Sequence, residues 1–142
     1  MPAPGAALDG QLSIALQPAL AEFIESGHFA KHIRRMRPLY MERQEVLLSE
    51  ISKQLGNDLM VAPDSSGMHL VARLTPVKSV RWTDVRLSDV AFEAGVSAPA
   101  LSTYFLGKPR EQALLLGYAC LKPEEIRHAV EILHQQLSRC RP

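Results

Sequence analysis

The chain has 142 residues, of which 46% are apolar and 22% charged, with a formal net charge of +1. That length fits one domain with an ordinary apolar core, and the near-neutral balance excludes a field strong enough to draw nucleic acid over the whole surface. No apolar run approaches the ~20 residues of a membrane span, and no basic flank precedes an apolar stretch as in a secretory signal, so the expectation is a cytoplasmic protein.

Met1 to Gly10 is Pro, Gly and Ala with one charge, which predicts a disordered tail over residues 1–11. The folded domain is then expected over 12–142. Pro18 can open a short helix, because proline at the first helical turn forfeits no hydrogen bond. Leu20, Phe23 and Ile24 give it one apolar face, and Gly27 can close it as a left-handed cap. Phe29, Ile33, Met36, Tyr40, Leu47, Ile51 and Leu55 then recur at helical spacing, with Gly56 as the stop. This predicts a long helix over about 28–55, kinked at Pro38. A helix of that length in a small domain suits an interdomain strut.

The pattern changes after Asn57-Asp58. Pro63 to Gly67 has turn chemistry, and Met68 to Leu74 alternates with period two, placing Leu70, Ala72 and Leu74 on one side and His69, Val71 and Arg73 on the other. Thr75 to Arg81 is expected to be a loop. Thr83 can cap a helix through about Ala94, with Leu87, Val90, Ala91 and Ala94 inward and Gly95 as the stop. Val96 to Phe105 suits an irregular strand, since Pro99 forbids a regular central one. Ala113 to Ala119 suits a buried strand. Pro123, Glu124 and Glu125 start a last helix with Ile126, Ala129, Val130, Leu133 and Leu137 as its buried stripe. The mixture of elements, not strictly alternating, predicts an α+β fold: a two-layer sandwich of a small, mainly antiparallel sheet with helices.

Several residue groups invite chemical readings. His28 and His32 share a helix face at the spacing of two metal ligands, but no third ligand is near in sequence, so they are expected to be surface histidines. The basic run Lys31, Arg34, Arg35 and Arg37 fits a solvated or domain-facing surface better than phosphate contact. His69 is expected to be a partly buried strand histidine, with an effector pocket as the sharper reading. Ser65, Ser66 and Ser102 show no histidine and acid in a hydrolase arrangement. Tyr104, Phe105 and Tyr118 are expected in the core or an interface. Cys120 and Cys140 lie far apart without metal spacing and are expected as reduced thiols. No catalytic, cofactor-binding or metal-binding residue is assigned.

Gly27 to Arg37 (GHFAKHIRRMR), with Tyr40 and Arg43, resembles the helix that joins the large and small domains of MocR-type regulators. Gly67 to Val71 (GMHLV), Gly95 to Ser97 (GVS), Leu114 to Ala119 (LLLGYA) and Lys122 to Ile126 (KPEEI) are similar to that family's later motifs, in the same order. The resemblance runs from about Leu12 to Leu137. It implies the C-terminal small domain of a protein that joins a GntR-type winged helix to a fold-type I aminotransferase-like domain. In that family pyridoxal phosphate sits on a lysine of the large domain, and Lys31, Lys53, Lys78, Lys108 and Lys122 match no such setting. In aminotransferases the strand similar to LLLGYA carries an arginine that grips the substrate carboxylate, and the matching position here is Leu115. The resemblance therefore implies an effector-side regulatory module. Such a module is expected to have no cofactor and no enzymatic activity of its own and to make no direct contact with nucleic acid, and the lack of a long apolar run leaves no membrane contact expected. Its expected partner is a missing large domain or a second copy, with an effector only in the full-length context. The alternatives are a small-domain fragment of an aminotransferase and a free-standing interaction module.

Overall fold

The structure, a computed structural model, describes residues 16–65 and 67–139. The expected tail over 1–11, Ser66 and Cys140 lie outside the described residues. The chain divides into two compact units, Met1–Pro38 and Leu39–Pro142.

Two helical stretches occupy the described part of the first unit. Helix α1 spans Gln17–Glu25 with a proline in its first turn, as expected of Pro18. Gly27 turns the chain at φ 80°, a left-handed conformation that a side chain would strain. Helix α2 begins at His28 and runs to Leu55, with Pro38 inside it. The Phe23 ring stacks on His28 at 6.1 Å and meets Phe29 edge-on at 6.4 Å. No residue of α1 is buried, and α2 buries none before Leu47.

The second unit holds the core. Strands β1 (Leu59–Val61), β2 (His69–Leu74) and β3 (Ala113–Gly117) form an antiparallel sheet in the order β1-β2-β3. The register pairs Leu59 with Leu74, Leu70 with Leu116 and Ala72 with Leu114. Because side chains alternate across a sheet, these six share one face, and all are buried. They form one cluster with Leu47, Ile51 and Leu55 of α2, Leu87 and Ala91 of α4 (Asp84–Glu93), and Ile126, Val130, Leu133 and Leu137 of α5 (Pro123–Arg139). The fold is a small antiparallel sheet with helices, as the residue patterns predict.

The structure corrects the sequence reading in three places. Leu59–Val61, unassigned from sequence, is a strand; three residues carry too little alternation to announce it. The loop expected over Thr75 to Arg81 contains a one-turn helix, α3 (Pro76–Ser79). Lys78 on that turn meets Asp58 at 3.1 Å, with only 14% and 10% of their side chains exposed. The strand expected over Val96 to Phe105 reduces to a single bridge, Ala100 to Leu114, followed by a 3-10 turn over Leu101–Tyr104. Pro99 cannot donate to a ladder, but its carbonyl accepts from Leu115 N at 2.8 Å and so covers the outer edge of β3.

One buried carboxylate joins these pieces. Asp84, fully inaccessible, follows the Thr83 cap, whose hydroxyl accepts from Arg86 N. Asp84 accepts from Ser102 N at 2.8 Å, Ser102 Oγ at 2.6 Å and Ala113 N at 3.2 Å. Its own N–H donates to Gln112 Oε1 at 2.8 Å. Trp82 is buried just ahead, with the Arg86 guanidinium 5.1 Å above its indole. Replacing Asp84 with alanine strands three buried donors and should lower the unfolding free energy by about 3 kcal/mol. Urea unfolding checks this: the D84A midpoint falls with the slope unchanged, and Asp84→Asn, which keeps one acceptor oxygen, falls less.

Candidate functional site

The sheet has a second face. Alternation places Met60 of β1, His69, Val71 and Arg73 of β2, and Ala113, Leu115 and Gly117 of β3 opposite the core, with Ala113 fully buried. Val71 pairs with Leu115, and both are half-buried. His69 pairs with Gly117, and both are exposed. Met60 is 49% exposed. At the far end Arg73 Nε meets Glu111 Oε2 at 2.6 Å. The result is an apolar strip, Met60, Val71 and Leu115, with an imidazole at one end and an ion pair at the other. An open strip of this composition suits contact with a ligand or another protein surface.

The imidazole end is held by α2. Gln44 Nε2 donates to the Tyr118 hydroxyl at 2.8 Å, and that hydroxyl donates to Gly67 O at 2.6 Å. Gln44 also reaches Asp64 O, and Arg43 Nη1 donates to Ala119 O. Tyr118 N continues the ladder to Met68 O at 3.2 Å. Tyr118 itself is 1% exposed, so its hydroxyl needs these partners. The chain on either side of His69 and Gly117 is therefore pinned by side chains one helical turn ahead of the α2 core stripe. Farther along α2, Gln54 and Lys53 both hydrogen-bond Glu50, and the Gln54 bond leads in holding that carboxyl below its usual range.

The other candidates separate. His28 and His32 are exposed on the first part of α2, and among the described residues no group of three metal-ligand side chains exists. Lys31, Arg34, Arg35 and Arg37 are exposed there too, without an ion pair within the described residues. Ser65 is exposed. Ser102 is buried with its hydroxyl committed to Asp84 and no histidine between them, so it is a structural serine. His69, expected to be partly buried, is exposed because β2 turns it away from the core. Tyr118 lies in the core as expected, Phe105 is half-buried, and Tyr104 is 66% exposed on the 3-10 turn. Cys120 is free and exposed. Asp84, Trp82 and Gln44 went unassigned from sequence. The signal for Asp84 was its place after a threonine cap, which reads equally as an ordinary first-turn acid.

No protein-family model matches the chain. It is 40% identical over 121 residues to the "Probable rhizopine catabolism regulatory protein MocR" of Rhizobium meliloti, covering 85% of this chain and 24% of that protein. It is 35% identical over 117 residues to the "Uncharacterized HTH-type transcriptional regulator YhdI" of Bacillus subtilis, covering 82% of this chain and again 24% of the relative. The chain thus spans about a quarter of the length of these curated relatives. Among solved structures, the α-aminoadipate aminotransferase LysN of Thermus thermophilus superimposes with a TM-score of 0.70 at 22% identity, over 84% of this chain and 30% of that one. The kynurenine aminotransferase of Pyrococcus horikoshii gives 0.70 at 14% identity, over 83% and 28%. At such identities the likeness shows the fold, that of the aminotransferase C-terminal small domain.

Tyr118→Phe removes one acceptor for Gln44 and one donor to Gly67 while leaving the ring in place. It should cost about 1 kcal/mol. Amide exchange should quicken around Gly67 to His69 and stay unchanged in α5, which a general loosening of the core would not produce.

Proposed function

We infer that this chain, which fits the C-terminal domain of a MocR-type transcription regulator, serves as the aminotransferase-like regulatory module of such a protein. The observation that carries the reading is a pairing of two likenesses on one segment. The same residues are 40% identical to a regulator and fold like part of an aminotransferase. The module's role is to meet a larger domain along a cleft, so that a small molecule held between them biases the domain arrangement. DNA binding belongs to the part of such a protein that this chain does not span.

The uncovered apolar side chains of the first unit support a missing neighbour. Leu20, Phe23, Ile24, Phe29 and Ile33 are each at least 38% exposed. In the first unit nothing in the described residues buries them, and a helix pair of this kind gains its stability from a surface packed against it.

Pyridoxal phosphate, implied for the full-length family, does not fit this chain by itself. Lys31 and Lys53 lie exposed on α2, Lys78 is ion-paired with Asp58, and Lys108 and Lys122 are exposed in the connections around β3. None lies on the open sheet face. The position that the resemblance matches to a carboxylate-gripping arginine is Leu115, half-buried on that face. An aliphatic side chain cannot make two parallel hydrogen bonds to a carboxylate. This weighs against the alternative of an aminotransferase fragment, and the chain alone is not proposed as an enzyme.

A chimera tests the reading: this chain replaces the matching segment of the Rhizobium meliloti protein. The expected result is a folded chimera that still controls a reporter promoter in an effector-dependent way, while the chain alone leaves the visible absorption of added pyridoxal phosphate unchanged. A well-folded chimera that has lost control of the promoter would overturn it.

A further inference from the structure

We propose that His69 is the ligand-contacting polar residue of this domain, laid on the open sheet face by Gly117, and that the group it meets is uncharged and carried on an apolar body resting against Val71 and Leu115. The proposal rests on the reading of the chain as a module closing over a small molecule.

The placement of the ring is the starting point. A Cβ built on Gly117 would stand 3.2 Å from His69 Cδ2 and 3.4 Å from Nε2. The imidazole therefore lies over the glycine, in the space where a side chain at 117 would stand. Gly117 has no backbone reason to be glycine, since the positive-φ glycines among the described residues are Gly27, Gly95 and Gly107. A glycine inside a strand weakens it. What it provides here is room for the ring. The backbone on both sides is fixed by Tyr118 OH to Gly67 O and Tyr118 N to Met68 O, so the imidazole has a defined anchor. Among the described residues neither imidazole nitrogen has a hydrogen-bond partner, and His69 is exposed. A neutral imidazole offers one donor and one acceptor.

The surroundings narrow the chemistry. The neighbours on the face are aliphatic, Val71 and Leu115, each half-buried. The cation on the same face, Arg73, is held by Glu111, and the Arg43 guanidinium is engaged by the Ala119 carbonyl. A carboxylate laid over the aliphatic pair would lose water, and both of these cations are already engaged. An amide or hydroxyl would lose less and could both donate to and accept from the ring.

The test uses the isotope-labelled 142-residue chain, titrated with isovaleramide and, separately, with isovalerate, which has the same body and a carboxylate in place of the amide. Isovaleramide should move the His69 ring signals and the Val71 and Leu115 methyl signals, and bind more tightly than isovalerate. His69→Ala should weaken isovaleramide by about two- to tenfold, the range for one lost hydrogen bond. Gly117→Ala should keep or raise the urea midpoint, yet shift the His69 ring signals and weaken isovaleramide to a similar extent. Leu115→Arg should turn the preference toward isovalerate. Absence of any shift, equal affinity for the two probes, or a Gly117→Ala protein whose His69 ring signals stay in place overturns the proposal. Such a failure beside a working chimera removes only the ligand assignment, whereas a failed chimera removes the module reading itself.

Discussion

A carboxylate withdrawn from water sets the terms for much of the second unit. Among the described residues Asp84 has no ion-pair partner; its carboxylate is met by two backbone N–H groups and a hydroxyl, at the start of a helix where the dipole also favours an anion. Those three donors come from Ser102 and Ala113. The same side chain thereby fixes the first residue of β3 and the 3-10 turn that precedes it in sequence. With Ala113 fixed, the register of β3 on β2 follows residue by residue, and so does the face on which Leu115 and Gly117 emerge. A slip of one residue would send Leu114 and Leu116 outward and Leu115 into the core.

The long helix divides its work along its length. Leu47, Ile51 and Leu55 are core residues. One turn earlier, Arg43 and Gln44 reach carbonyls and a hydroxyl at the His69 end of the sheet. The stretch before Pro38 belongs to the other unit and buries nothing of its own. Uncovered surface, polar anchoring and packing therefore follow one another along a single element.

A likeness at 22% identity and one at 40% carry different information. The first says that the backbone path is shared with aminotransferases, and many side-chain chemistries are compatible with one path. The second reaches the side chains. The regulatory reading takes its weight from the second, and the open face explains how the two fit together. The fold is shared, and the residues on that face are what differ between the two likenesses.

Elements with a long, periodic pattern were legible in the order of residues alone. The stripe from Leu47 to Leu55, the alternation Leu70, Ala72, Leu74, the Thr83 cap with Gly95 beyond it, and the proline start of α5 are local signals, and each element formed where those signals lie. The order of motifs likewise pointed to the family. Tertiary structure alone decided what depends on partners distant in sequence. Leu59 to Val61 is a strand only because β2 offers it an edge. Val96 to Phe105 gave up its expected strand to Asp84, whose hydrogen bonds to Ser102 favour a tight turn. His69 was legible as a strand residue but not as an exposed one lying over Gly117, since that required the pairing of two residues far apart in the chain. Periodicity says which side chains share a face; only the register between strands says which of them meet.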